Sequence, residues 1–272
     1  MHDGNKRKKI GLALGSGGWR GLAHIGVIKC LIQNGYEIDF IAGCSVGALV
    51  GGMYAATKDI NKVENLVNNI KTKNILSLLL DPAAKHGLIK GNRLTEYFLK
   101  ITDNINIEDM PIKYSAVATD VLAGEPVIIN KGSLAIAMRA SGSIPFVFKP
   151  VLYNNKYIVD GGTSEPVPVS VVRAMGADIV IGVNLYGGIF PMSEKFTNSL
   201  KLKNLEIGRL SYQLLLSKLA MHNLEHADIA LSPKIPEGKF DIFFKFANHP
   251  ETIKYGEEAM CNELDKLRII SK

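Results

Sequence analysis

Ile38-Asp39-Phe40-Ile41-Ala42-Gly43-Cys44-Ser45-Val46-Gly47-Ala48-Leu49-Val50-Gly51-Gly52-Met53-Tyr54-Ala55-Ala56 is the stretch that decides the fold. A short apolar run leads into G-x-S-x-G, and a longer apolar run follows. Strand, sharp turn and buried helix are the context in which G-x-S-x-G acts as a nucleophile elbow. Gly43 and Gly47 let the backbone take a strained turn that side chains would block. Ser45 Oγ would then stand clear of the sheet edge, above the positive end of the following helix. The pattern alone is also compatible with an ordinary strand-to-helix loop, so its neighbours must carry the argument further.

Upstream, Ile10 to Leu14 reads as a strand and about Gly21 to Gly35 as a helix. Between them lies Gly15-Ser16-Gly17-Gly18-Trp19-Arg20-Gly21. Such a run can turn successive backbone N–H groups toward one point at a helix start. Beside a nucleophilic serine, that point is where a tetrahedral oxyanion would form. The competing reading is a dinucleotide site, since Gly15, Gly17 and Gly21 approximate the glycine fingerprint and Tyr54 and Lys58 have Y-x-x-x-K spacing. That fingerprint wants an acidic residue at the end of the second strand. Here Glu37 and Asp39 precede or open that strand, and its end is taken by the Ser45 turn.

A serine nucleophile needs a base. His86, His222, His226 and His249 follow Ser45, but none sits in a convincing loop after a strand, and His24 reads as a core histidine of the first helix. Asp160 follows the apolar run Tyr157-Ile158-Val159 and precedes Gly161-Gly162, which would let another segment approach it closely. An aspartate acts as a base only in an apolar, water-poor pocket. Asp-Gly-Gly is also a common turn.

Strand-like and helix-like segments alternate along the chain, which argues for a layered α/β fold. Further strands are expected at Tyr114–Thr119, Glu125–Asn130 and Ile179–Leu185, with a hairpin of Val151–Tyr153 and Lys156–Val159 across Asn154-Asn155. Helices are expected at Ile60–Ile70, Asn92–Ile101, Leu134–Ser141, Leu205 to about Glu225, and Pro250 to about Arg268. Residues 187–204 read as a mobile loop. We expect a basic tail over residues 1–9 and one domain over 10–272.

The 272 residues are 47% hydrophobic and 21% charged, a globular composition with a net charge of +6. Part of that charge is Lys6-Arg7-Lys8-Lys9, read as a solvated tail that could approach an anionic surface. No nucleic-acid motif accompanies it, and no nucleic-acid partner is expected. Cys30, Cys44 and Cys261 are too scattered for a disulfide framework or a zinc site and fit a reducing cytoplasm. No apolar run approaches the ~20 residues needed to span a bilayer, and no signal peptide is expected. His222-Asn223-Leu224-Glu225-His226 matches the H-x-x-E-H spacing of some zinc proteases, but without a recognisable third ligand a polar helix face is the better account. Ile75 to Leu80 is a greasy stretch open to core packing, an acyl pocket, a membrane contact or a subunit contact.

Together these motifs resemble the patatin-like phospholipases, in particular small bacterial members, over roughly residues 10 to 235. Arg139-Ala140-Ser141-Gly142-Ser143-Ile144-Pro145 resembles the family's segment before its aspartate hairpin. The resemblance implies a three-layer α/β/α fold with a central, mainly parallel sheet, and a Ser–Asp dyad that hydrolyses acyl esters of lipids. It makes Ser45 the nucleophile and Asp160 its base. Gly17, Gly18 and Trp19 become the oxyanion-hole residues and Arg20 a structural anchor, within the motif glycines Gly15, Gly21, Gly43, Gly47, Gly161 and Gly162. Many members have Gly where this chain has Ser16. No metal or organic cofactor is implied. The expected partner is a lipid or acyl-ester substrate, in the cytoplasm or at the inner membrane face, with peripheral membrane contact and oligomerisation open. Two alternatives stay open: a lipid-sensing module with negligible turnover, and a Ser–His–Asp esterase or thioesterase.

Overall fold

The structure is a computed structural model that describes residues 7–69, 78, 89–192, 204–236 and 251–272. The apolar runs become β1 (Ile10–Leu14), β2 (Phe40–Cys44), β3 (Lys113–Asp120), β4 (Glu125–Ile129), β5 (Val151–Tyr153), β6 (Lys156–Asp160), β7 (Ile179–Val183) and β8 (Ile229–Leu231). Between them lie α1 (Leu22–Gln33), α2 (Val46–Thr57), α3 (Ile60–Asn68), α4 (Asn92–Ile101), α5 (Leu134–Ser141), α6 (Val169–Ala174) and α7 (Asn204–Leu224). The chain closes with α8 (Thr252–Cys261) and α9 (Leu264–Ile270). The strands pair in the order β5-β6-β3-β2-β1-β7-β8, with β4 also on β3. From β3 through β2, β1 and β7 to β8 the pairing is parallel; β4, β5 and β6 run antiparallel.

Side chains alternate across the central strands, so each strand feeds two cores. Leu12, Leu14, Ile41 and Ile181 pack to one side with residues of α1, α2 and α5. Ala13, Ala42, Val117 and Val180 pack to the other side with residues of α6 and α7. The strands read as continuous apolar runs because both faces are covered. The expected three-layer α/β/α sandwich with a mainly parallel sheet is the fold observed.

Strand β3 determines where the two halves of the sheet meet. Its residues Ala116 to Asp120 pair with β4 along one edge. The other edge is shared: Lys113 to Val117 pair with β2, and Ala118 to Asp120 pair with β6. Cys44 stands opposite Val117 and Asp160 opposite Ala118, so the ends of β2 and β6 abut on one edge of one strand. The β5–β6 hairpin that delivers Asp160 turns at Asn154-Asn155, both with positive φ (48° and 60°), a conformation asparagine tolerates better than most residues.

Helix α8 packs along α1 through glycines. A Cβ on Gly26 would run into the Ile253 carbonyl, and one on Gly256 into the Ala23 carbonyl. Cys30 and Cys261 form a disulfide across these helices, with Cα atoms 6.1 Å apart. Sequence spacing gave no hint of this pair, because the cysteines are 231 residues apart and meet only through helix packing. The single terminal helix expected from Pro250 to Arg268 is two helices broken at Asn262-Glu263, where asparagine competes poorly for the helix interior. Arg7 and Lys8 are exposed, as a solvated segment would be, but the segment is tethered: Arg7 forks onto Asp39 (2.8 and 2.6 Å), Lys8 Nζ donates to the Ile270 carbonyl, and the Lys9 N–H donates to Asp178. They lie at the end of the sheet where β1 begins, opposite Ser45. The loop and greasy stretch expected at 187–204 and Ile75–Leu80 fall largely outside the described residues.

The α1–α8 contact makes a direct test. Gly256→Ala should destabilise the protein by about 1–3 kcal/mol, because the new methyl meets backbone rather than a yielding side chain. Gly208→Ala in α7, where a Cβ would meet nothing within 4 Å, should stabilise by up to ~1 kcal/mol. Urea unfolding midpoints check both signs.

Candidate active site

The G-x-S-x-G turn is the elbow the sequence predicts. Ser45 sits at φ 55° and ψ −119° between β2 and α2. Such a conformation costs on the order of 1–3 kcal/mol and persists only where the surroundings enforce it. Here they do. A Cβ on Gly47 would enter the Leu14 carbonyl, and one on Gly43 would meet the Gly47–Ala48 backbone. The Ser45 N–H donates to Ser141 Oγ (2.8 Å), whose hydroxyl donates onward to the Val117 carbonyl (2.6 Å). Ser141 therefore fastens the elbow to β3, the strand that also fixes Asp160.

Asp160 is buried and its backbone is held at both ends. Its N–H donates to the Ser143 carbonyl (2.9 Å), and its carbonyl accepts from Thr119 Oγ1 (3.0 Å). Oδ1 accepts the Gly162 N–H (2.8 Å), whereas Oδ2 is buried without a hydrogen-bond partner. Gly161 is required because a Cβ there would strike the Val117 carbonyl. Burial pushes the carboxyl pKa up to about 6, against the opposing pull of the nearby Ser45 hydroxyl and the Gly162 N–H. Ser45 is near enough to lower that pKa, although no hydrogen bond joins the two side chains. Such contacts commonly tighten only when a reacting group is present.

The loop after β1 lies alongside. The Gly15 N–H is taken by the Val183 carbonyl (3.1 Å) and the Ser16 N–H by the Pro166 carbonyl (2.9 Å). The N–H groups of Gly17 and Gly18 have no acceptor among the described residues. Gly18, at φ 60°, opens a short 3-10 turn through Gly21 and shares a cavity wall with Ser45. Gly17 packs where any Cβ would strike Leu185. Arg20 is buried beside the Trp19 ring, 5.3 Å from its centroid.

From Ser45 the cavity runs inward between α2, α3, α4 and α5. Leu22, Leu49, Met53, Tyr97, Phe98 and Met138 give it an almost wholly apolar lining. Arg139, the one charged wall residue among the described residues, is turned aside: it donates to Ser143 Oγ (2.6 Å) and the Lys90 carbonyl (2.9 Å) and stacks on Phe148. Burial lowers the Arg139 pKa to about 10. The neighbouring Cys44 thiol is buried, and desolvation raises its pKa well above the ordinary value, so it is not a competing nucleophile.

The histidines are placed differently. His222 at the end of α7 and His226 in the turn after it are exposed, with ring centroids 5.9 Å apart and His222 paired to Glu225. No group of metal-binding side chains occurs among the described residues. His86 and His249 lie outside those residues. His24 is fully buried, and its Nε2 contacts the Gly15 carbonyl (2.8 Å). The sequence reading missed Ser141, Ser143, Thr119 and Tyr186. Single hydroxyls carry no spacing signal, and only the 139–145 resemblance pointed near two of them.

The patatin-like phospholipase family model matches residues 12–173, from β1 through the Asp160 turn into α6. The chain belongs to the patatin-like phospholipase family. An uncharacterized NTE family protein of Mycobacterium tuberculosis is 39% identical over 184 residues, covering 68% of this chain and 51% of that protein. The lysophospholipase NTE1 of Yarrowia lipolytica is 32% identical over 181 residues, 65% of this chain and 12% of that protein. The chain thus spans about half the length of the first of these patatin-like relatives and far less of the second. VipD from Legionella pneumophila shares the fold, with a TM-score of 0.51 at 14% identity over 96% of this chain and 67% of that one.

Asp160 and His24 make opposing contributions to stability. The folded state holds the Asp160 proton up to about pH 6, against 3.8 ordinarily, so stability falls as pH rises through that window. Burial lowers His24 from 6.5 to about 4, so stability falls as pH drops through that window. Asp160→Asn should therefore raise stability at pH 7 by up to ~3 kcal/mol and expose an acid-side loss of similar size due to His24. Urea unfolding from pH 4 to 7 measures this; parallel wild-type and variant curves would count against it.

Proposed function

We propose that this protein is a serine acyl hydrolase that cleaves carboxylic esters of lipids through a Ser45–Asp160 dyad. The observation carrying the reading is the abutment of β2 and β6 on β3, which sets a buried, half-satisfied aspartate at the strand end beside a strained serine that lines an apolar cavity. Membership of a phospholipase family and likeness to a lysophospholipase support the substrate class. An acyl chain fits the chemistry of the cavity, and the ester carbonyl would then lie at Ser45 with its oxygen toward the Gly17 and Gly18 N–H groups.

In that arrangement Ser45 Oγ attacks the carbonyl carbon while its proton passes to Asp160. The oxyanion collapses, the C–O bond to the alcohol or lysolipid breaks, and the leaving oxygen recovers the proton. Water, deprotonated by the same carboxylate, then cleaves the acyl-serine ester. Asp160 serves because burial has raised its basicity toward neutrality. Neither of the exposed histidines His222 and His226 is needed. No helix among the described residues is long and apolar enough to cross a membrane, so a lipid substrate would be met from outside the bilayer.

Fluorophosphonate labelling with peptide mapping tests the reading, followed by turnover of lysophospholipid and soluble acyl esters. The label should fall on Ser45, and turnover should vanish in Ser45→Ala and Asp160→Asn but survive in His222→Ala and His226→Ala. The kcat/KM profile should fall below about pH 6 as Asp160 takes up its proton. Folded protein in which Ser45 stays unlabelled and no ester turns over would favour the sensing role instead.

A further inference from the structure

We infer that His24 and Tyr186 are positioning residues that hold the Gly15–Gly18 loop in its anion-binding shape, each gripping a different residue of it. This rests on reading that loop as the oxyanion hole. The backbone contacts leave one side of the loop to be held. The Val183 and Pro166 carbonyls secure the Gly15 and Ser16 amides, and the Gly15 carbonyl and Ser16 side chain are held by other groups. Each is met by a buried polar side chain from a separate element.

His24 reaches back from the first turn of α1. Its Nε2 lies 2.8 Å from the Gly15 carbonyl, which can only accept, so Nε2 carries the hydrogen. Nδ1 is then a bare acceptor, buried with no partner. A core histidine kept for packing would not leave half its hydrogen-bonding capacity unused, since an apolar residue fills such a site at less cost. Its single bond to a peptide next to the free amides is the feature that accounts for a polar ring there. That bond fixes the Gly15–Ser16 peptide and thereby the direction from which the chain enters Gly17.

Tyr186 follows β7 and is also buried. Its hydroxyl shares a 3.0 Å hydrogen bond with Ser16 Oγ. Ser16 Oγ lies 3.0 Å from where a Gly162 Cβ would stand, as does Asp160 Oδ1. The Tyr186–Ser16 pair therefore sits behind both the loop and the aspartate turn, and fixes their separation. The extra hydroxyl of Ser16 gives this chain a grip on its loop that a glycine could not provide. With the backbone held at Gly15 and the side chain at Ser16, the Gly17 and Gly18 amides need no reorganisation to meet a developing charge.

The test uses the full-length protein, a soluble p-nitrophenyl ester and an alkyl trifluoromethyl ketone, whose hemiketal with serine carries the oxyanion. His24→Leu should lower kcat about 30-fold with KM within about twofold, and His24→Gln, which keeps a donor, should recover part of the loss. Tyr186→Phe and Ser16→Ala should each lower kcat about fivefold, and the double variant no further, because both remove one bond. The Ki of the ketone should rise in step with the fall in kcat/KM, which general loosening of the fold would not produce. Tyr186→Phe and Ser16→Ala change one hydroxyl each, so they keep the test decisive should His24→Leu fail to fold. Folded Tyr186→Phe and Ser16→Ala with wild-type kcat and Ki, or with a change in KM alone, would overturn the inference while leaving the hydrolase reading intact. A wild-type protein without Ser45-dependent turnover would instead overturn the hydrolase reading, and this inference with it.

Discussion

The shared edge of β3 is the constraint on which the rest of the molecule depends. A strand offers one row of hydrogen-bonding groups on each side, and β3 gives five residues of one row to β2 and the next three to β6. Two strands that end against each other on one edge cannot drift apart without breaking ladder bonds. Ser45 and Asp160, 115 positions apart in sequence, thus inherit their separation from backbone pairing rather than from flexible side chains. The supporting contacts run through the same strand: Ser141 joins the elbow to the Val117 carbonyl, and Thr119 joins β3 to the Asp160 carbonyl. A site built on sheet register is rigid where chemistry needs it to be.

Glycine does the complementary work. Gly43, Gly47 and Gly161 mark places where backbone meets backbone with no room for a side chain. These close approaches appear in sequence as G-x-S-x-G and D-G-G, and so the motifs are legible. They record steric necessity at fixed offsets from a reactive residue. The same logic at Gly26 and Gly256, where α1 and α8 touch, left no legible motif, because one glycine on each helix carries no spacing to recognise.

The limits of the sequence reading follow from this distinction. The strands were legible because apolar runs bounded by glycine and asparagine have one economical interpretation. The Ser45 elbow and the Asp160 turn were legible because each is local. What escaped notice is long-range and individually unremarkable: Ser141, Ser143 and Thr119 as fasteners, Tyr186 behind the loop, Cys30 beside Cys261. His24 was visible as a histidine in an apolar helix, but its tie to Gly15 depends on where α1 leaves the loop. The basic residues Arg7 to Lys9 gave no sign of being tethered, because their acidic partners Asp39 and Asp178 lie far along the chain. The α8–α9 break depends on a single asparagine, and local patterns are least reliable at such boundaries.

Burial sets the chemistry and also opposes it. An aspartate in water is far too weak a base to take a serine proton, and the environment that raises its pKa to about 6 also makes its charged form expensive to hold in the fold. The structure tempers that cost by half-measures. One carboxylate oxygen receives a backbone N–H while the other is left bare. A second donor on Oδ2 would make the fold more comfortable and the base weaker. The same tension recurs across the cavity mouth, where the Gly17 and Gly18 amides are left without protein acceptors while Gly15 and Ser16 are firmly held. Unsatisfied groups are tolerated at these few atoms because each neighbouring group is secured. With Ser45 as the proposed nucleophile, those free donors would meet the oxyanion of a tetrahedral intermediate and the free acceptor would take the serine proton.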